Sequence, residues 1–314
     1  MFFFLNIPFG DTIGQQTFFS NEYANYRWKA DSLYRLYQYK ASEIYYEKAI
    51  KEKAAKRFKR ICYYNSSLCL KYTGNLKKST KYLKKSIKMG VRYPSILAFN
   101  SDTTFNSYKN LKEWKYIIKK MSKNINVYSQ IDSNFRTLLL NCYKTDQFYR
   151  NPPKSFKDSL ANFYDNRQID SIVYSTLLST DHTNQLLLQN IIKKRWIGLK
   201  SVGEDGDQAV WLIVQHADTN IEFQKKSLKL IEKAIINDNT RIKNYPYLVD
   251  RLLINNQEKQ IFGTQFREVH TNGKATLNIL PLRDQNMVDK YRNCFGLETV
   301  DEYLKYAKSR FKFE

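Results

Sequence analysis

Residues 41–53 read ASEIYYEKAIKEK, and residues 78–90 read KSTKYLKKSIKMG. Ser42, Tyr46 and Ala49 lie three and four residues apart, the spacing that puts side chains on one helical face. Ser79, Tyr82, Leu83, Ser86 and Ile87 repeat the scheme. Ala49 and Ser86 are equivalent, which sets a repeat of 37 residues. Each segment follows another of the same kind. Tyr26, Ala30 and Leu33 mark one face of Tyr23–Tyr37, and Ala41–Lys53 comes next. Tyr63, Ser67 and Leu70 precede Gly74-Asn75, a turn signal, and the second lysine-rich helix. The stretch from Glu22 to about Asn124 therefore reads as helix, turn, helix, with a third, less regular unit over Tyr93–Asn124 marked by Asp102, Phe105 and Trp114.

Residues 23–90 resemble two degenerate tetratricopeptide repeats, whose period is about 34 residues. The small residues where paired helices approach are Ala30, Ser42 and Ala49, then Ser67, Ser79 and Ser86. Serine replaces alanine at four of these places, and neither repeat has the full Trp-Leu-Gly-Tyr set. The resemblance implies a surface for a protein partner. A plain array of helical hairpins without a binding role would show the same periodicity.

The chain of 314 residues is long enough for two domains. It is 42% hydrophobic and 15% aromatic, enough for packed cores, with a mean hydropathy of -0.60. No apolar run approaches the roughly 18 residues that span a bilayer. The net charge of +22 is concentrated in one segment: from Lys51 to Arg92, Glu52 is the only acid. Lys77, Lys81, Lys84 and Lys88 share a helical face. Such a field attracts an anionic partner such as nucleic acid, lipid or an acidic protein. The competing reading is a solvated face, because 24 Tyr and 19 Phe beside 10 Gly and 6 Pro point to an AT-rich coding sequence that favours lysine.

The start, Met1-Phe-Phe-Phe-Leu-Asn-Ile-Pro-Phe9, resembles the tail of a secretory signal, although the first basic residue is Arg27. Residues 1–20 are expected to be a signal remnant, which favours a periplasmic or secreted location over a cytoplasmic one. Cys62 and Cys69 lie seven residues apart on a predicted helix, about 10.5 Å along its axis, too far for a disulfide. Without any C-x-x-C pair, free thiols are expected.

Behind residues 21–128, the repeat region, residues 129–314 are expected to form a second domain. Predicted helices run over Asn134–Cys142, Lys157–Leu178, Asn184–Lys194, Asp207–Ala217, Ile221–Asn237 and Tyr247–Asn255. Thr219-x-x-Glu222 reads as a capping box. Gln260–Arg267 and Lys274–Leu282 alternate like strands around Asn272-Gly273, a hairpin signal. Helices Asn286–Phe295, ended by Gly296, and Val300–Phe311, opened by Thr299-x-x-Glu302, close the chain. The fold class is mainly α, helical hairpins followed by a mostly helical domain with one short β-hairpin.

This domain carries a series of polar words: Asp146-Gln147-Phe148-Tyr149-Arg150, Asp181-x-x-Asn184, Trp196 with Val202-Gly203, Gln215-His216-Ala217-Asp218, Asp250-Arg251, and Gln260-Ile261-Phe262-Gly263-Thr264-Gln265. Their order and spacing resemble an uncharacterised bacterial domain family over about Ile131 to Lys305. Phe262 stands where that family usually has Tyr, and Ile197-Gly198 where it tends to have Pro. The resemblance implies a shared fold and site but no reaction.

Asp, Arg and Gln are seldom fully buried unless paired, so these words mark either a ligand site or an ion-pair network that fixes how helices meet. As an enzyme, the chain would use His216 as general acid or base with Asp218 or Asp250 orienting it. Asp146, Gln147, Arg150, Arg251, Gln260 and Gln265 would bind ligand, with Arg150 or Arg251 clamping an anion. No metal site is assigned: His216-x-Asp218 with His270 and Arg283 imitates an iron site, but such sites sit on β-barrels and this run is helical. No cofactor is indicated. The leading expectation is a helical-repeat binding or scaffold protein; the alternative is an enzyme acting on a small polar or anionic substrate.

Overall fold

The computed structural model describes residues 18–93, 95–125, 131–271 and 274–311. The expected signal remnant up to residue 17 and the Asn272-Gly273 turn lie outside them. The described residues form fifteen α-helices and one two-stranded antiparallel sheet, a mainly α protein. Backbone contacts divide the chain into two compact units. One comprises residues 1–127 and 259–314, the other residues 128–258.

The first unit opens with α1 (Asn21–Arg35), α2 (Tyr39–Lys51), α3 (Lys56–Tyr72) and α4 (Leu76–Lys88), each packed on the next. The two hairpins share a hydrogen bond at equivalent positions. The Ser42 hydroxyl donates to the Ala30 carbonyl at 2.9 Å, and Ser79, 37 residues later, donates to the Ser67 carbonyl at 2.5 Å. Ala30, Ser42, Ala49, Ser67, Ser79 and Ser86 are all fully buried. Small side chains there let the helices approach, and a serine inside such a contact needs a partner for its hydroxyl.

Beyond α4 the pattern loosens. α5 (Ile96–Ser101), a 3-10 turn at Thr103–Phe105 and α6 (Asn106–Lys109) precede α7 (Trp114–Ile125). Phe99, Phe105, Tyr108, Ile117 and Met121 join Leu83 and Ile87 in one apolar cluster. Phe99 stacks on Trp114 at a centroid distance of 5.3 Å.

The second unit contains α8 (Ser133–Arg150), α9 (Lys154–Ala161), α10 (Asn166–Ile191), α11 (Leu199–Gln215), α12 (Ile221–Ile236) and α13 (Asn244–Asn255). Two expected helices, Lys157–Leu178 and Asn184–Lys194, are differently divided. The break falls at residues 162–165, where Asp165 and Gln168 form a capping box, and α10 then runs unbroken through Asp181 and Asn184. The cap of α12 is Asn220, which accepts from the Phe223 amide, not Thr219; Glu222 pairs with Lys225 instead.

The C-terminal segment returns to the first unit with β1 (Phe266–Thr271), β2 (Lys274–Ile279), α14 (Val288–Phe295) and α15 (Val300–Phe311). Sequence reading placed it with the second domain; its contacts lie with the N-terminal helices. Buried Arg27 on α1 donates to the Cys294 carbonyl at 3.1 Å, and Asn293 donates to Asp31 at 2.8 Å. Phe295 meets Phe18, Phe19 and Phe58 at centroid distances of 6.0, 5.8 and 5.5 Å. α14 thus packs on α1 and, through Phe295, reaches Phe58 of α3. Nothing local in the sequence announces a pairing across some 270 residues.

The terminal caps are as expected. Gly296 is left-handed (φ 71) after α14, and Thr299 and Glu302 bond reciprocally at the start of α15. Cys62, Cys69, Cys142 and Cys294 are free thiols. Among the described residues no helix is long and apolar enough to cross a membrane.

Candidate functional site

Most of the polar words lie in the second unit, and five of their side chains converge there. Asp146 and Arg150 are one turn apart on the last turns of α8, so both reach the same side of the helix. Asp146 is 1% exposed, and three groups donate to its carboxylate. These are Gln147 Nε2 at 2.7 Å, Arg150 Nε at 3.2 and 3.3 Å, and His216 through Nδ1 at 2.8 Å. The other edge of Arg150 forks onto Asp181 of α10 at 2.7 and 2.8 Å. His216 is the C-cap residue of α11. One buried carboxylate therefore ties together the ends of α8 and α11, and one guanidinium ties α8 to α10.

Burial acts to raise the Asp146 carboxyl, but donation from His216 and Gln147 and the charge of Arg150 outweigh it and leave the group lowered. Asp181 goes the other way: its burial is only partly offset by Arg150, so its carboxyl is raised. His216 Nε2 has no hydrogen-bond partner among the described residues, and the side chain is 14% exposed.

Asp218 belongs to a separate cluster. Arg251 of α13 grips it through Nε at 2.8 Å and through Nη2, Asn255 donates at 3.0 Å and Gln224 at 3.4 Å. Burial pushes the Asp218 carboxyl up, and these donors more than reverse it. The carboxylate at His216 is therefore Asp146, where the sequence suggested Asp218 or Asp250. Asp250 is fully buried within α13. Both expected anion clamps already hold carboxylates: Arg150 those of Asp146 and Asp181, Arg251 that of Asp218.

Gln260 and Gln265 lie in the first unit, where residues 260–265 form a closed loop rather than the start of a strand. The Gln260 side chain donates to the carbonyls of Gln265 (3.0 Å) and Leu280 (2.7 Å), and its Oε1 accepts from the Gln265 amide at 2.9 Å. Arg292, fully buried, donates to the carbonyls of Phe262 (2.7 Å) and Gly263 (3.1 Å). Gly263 is left-handed (φ 63), and a Cβ there would meet Val300 at 3.0 Å and Leu282 at 3.2 Å. Phe262 is buried edge-on to Phe295 at 5.3 Å. An apolar ring suits that position without a hydroxyl to satisfy.

A further buried polar cluster was missing from the sequence reading. Asp207 is fully buried and accepts from Trp196 Nε1 at 2.7 Å, Thr240 at 3.1 Å and the Arg241 amide at 2.9 Å. Burial raises its carboxyl to about 6. Trp196 was noted as a word of the family; its indole N–H, which must find an acceptor when buried, was the available clue.

A groove of about 500 Å³ in this unit is lined by Gln189, Lys193, Asn220, Phe223, Lys226 and Leu230 among others. Neither it nor the groove of about 330 Å³ between α8 and α10 is lined by His216, Asp146 or Arg150. Among the described residues no three His, Cys, Asp or Glu side chains are grouped to hold a metal ion.

Residues 157–313, half of the chain, match a family of unknown function, DUF6624. The match takes in the words from Asp181 to Gln265 and leaves Asp146–Arg150 outside it. No curated protein and no solved structure matches the chain.

Proposed function

Since the chain belongs to this family of unknown function, whose description supplies no reaction, we propose that it is a binding or scaffold protein whose N-terminal helical hairpins, of tetratricopeptide type, dock a protein partner. The observation that carries this reading is the replication of the hairpin at 37 residues, down to the Ser42–Ala30 and Ser79–Ser67 hydrogen bonds. Repeated hairpins build extended surfaces, and such surfaces are used for binding. In this reading the paired carboxylates and arginines around Asp146 and Asp218 hold helix ends in register. The bound state of both arginines supports that role, because a guanidinium already gripping carboxylates is a poor anion clamp.

The test is site-specific photo-cross-linking in the native cell. A photoreactive residue at Tyr37 or Lys81 should give one discrete protein adduct, and the same residue at Lys229 of the second unit should give none. Adducts confined to Lys229, or none from the array, would overturn the proposal.

One observation favours a second reading, that of an enzyme. His216 is oriented by a buried carboxylate through Nδ1, and its Nε2 has no partner among the described residues, the arrangement of a general base. In that reading Asp146 is a positioning residue for His216. Loss of a substrate-dependent activity in His216→Gln, with unchanged melting, would be its signature.

A further inference from the structure

The lysines of α4 are not equivalent. Lys78 reaches back to α2 and forms ion pairs with Glu43 at 2.9 Å and Glu47 at 2.5 Å. Lys85 donates to the Tyr63 hydroxyl at 2.6 Å. Lys77, Lys81 and Lys84 point elsewhere: with Leu76, Thr80, Leu111 and Glu113 they line a groove of about 390 Å³. Among the described residues none of these three lysines has a carboxylate partner. They follow at i, i+4 and i+7, so they form a row on one face, about 10 Å long from end to end. Lys84 also lies over the Tyr116 ring at 5.3 Å.

Like charges at these spacings repel by a few tenths of a kcal/mol per pair. The protein neutralises Lys78 internally and leaves its neighbours concentrated over a concave strip with two leucines. We propose that this groove docks an acidic, amphipathic segment of a partner protein, with carboxylates meeting Lys77, Lys81 and Lys84 and an apolar side chain set between Leu76 and Leu111. Charge complementarity selects an acidic occupant, and the two leucines, which offer nothing to a phosphate or a base edge, select an amphipathic peptide. The proposal rests on the reading of the array as a docking platform and specifies where and what it docks.

The experiment uses the full-length protein and a synthetic helical peptide carrying Glu at i, i+4 and i+7 beside two Leu, read by fluorescence anisotropy. Binding should weaken at least tenfold between 50 and 300 mM salt, and the Glu→Gln peptide should bind at least tenfold more weakly. The triple variant Lys77→Glu, Lys81→Glu, Lys84→Glu should lose at least tenfold, with an unchanged circular dichroism spectrum. A control reversing Lys225, Lys226 and Lys229 in the second unit should change affinity less than twofold.

Equal losses in both triple variants would mean general polyanion affinity and would overturn the proposal. So would absence of peptide binding, or tighter binding of a duplex oligonucleotide through the same lysines. Persistence of the cellular cross-link from Tyr37 in the groove variant would sink the groove and leave the platform reading standing. Loss of every array cross-link in the wild type would remove the platform itself.

Discussion

Tyr37 and Gly74, 37 residues apart, occupy the same turn in successive hairpins, and both are left-handed, at φ 59 and φ 86. The turn bonds match as well. The amides of Tyr37 and Gly74 donate to the carbonyls of Tyr34 and Lys71, and those of Gln38 and Asn75 to Leu33 and Leu70. The second copy meets this backbone demand with glycine, and the first with a tyrosine that is 78% exposed. For a side chain bearing a Cβ the left-handed region costs about 1–2 kcal/mol. Tyr37→Gly should therefore hold or raise the unfolding free energy, by up to about 1 kcal/mol. Gly74→Ala should lower it by about 1 kcal/mol, since its Cβ would meet no atom within 4 Å and only backbone strain remains. Urea titrations of both variants check this. A Gly74→Ala protein as stable as the wild type would mean that the turn is not held as described.

A second prediction concerns the C-terminal helix. Phe295 is fully buried against Phe18, Phe19 and Phe58. Phe295→Ala should cost about 3–5 kcal/mol, and the loss should be local. Hydrogen exchange should accelerate across α1–α3 and α14, while α8–α13 keep their protection. Equal loss of protection in α8–α13 would refute the division into two units, and with it the assignment of residues 259–314 to the repeat unit.

The repeat was legible because its signals are local: helical periodicity, small residues at fixed offsets and Gly74 in a turn. The existence of most helices in the second half was legible for the same reason. Three things were not. The partner of His216 was misassigned because Asp218 is two residues away in sequence, whereas Asp146 reaches it only through the packing of α8 on α11. The return of α14 to α1 depends on Arg27, Asn293 and an aromatic cluster, and none of these carries a local mark. Gln260 was read as a ligand contact, but a carboxamide can close a loop on its own backbone as well as it can bind a guest. A polar residue in an apolar stretch reports that a partner exists, and the fold decides which one.

The Arg150 cluster yields a third prediction. Arg150 lies between two carboxylates, and its side chain is 24% exposed. Arg150→Met leaves Asp146 and Asp181 without their shared cation and should cost about 3 kcal/mol. Adding Asp181→Asn removes one of the stranded charges, so the double variant should be more stable than Arg150→Met alone. Non-additivity of that sign is what a shared network produces. A double variant less stable than the single one would mean that Asp181 contributes through contacts other than Arg150.

The last prediction fixes a sign for pH dependence. The buried Asp207 carboxyl stands at about 6 in the folded chain, because burial outweighs the donors Trp196, Arg241 and Thr240. In the unfolded chain an aspartate titrates near 3.9. The folded state thus holds its proton more tightly, and the stability this brings is fully present below about pH 4. It is lost as pH rises from about 4 to 6, and above that range ionised Asp207 is a standing cost of about 2–3 kcal/mol. Asp207→Asn keeps the side chain neutral and retains an acceptor for the Trp196 indole, but gives up the bond from the Arg241 amide. Relative to this variant, the wild type should lose stability between pH 4 and pH 7, as measured by urea unfolding at each pH. The lowered carboxyls of Asp146 and Asp218 contribute in the opposite direction, losing stability as pH falls, and both are present in each protein, so the difference isolates Asp207. A difference that stays flat across the range would show that Asp207 ionises in the folded protein as readily as in the unfolded chain.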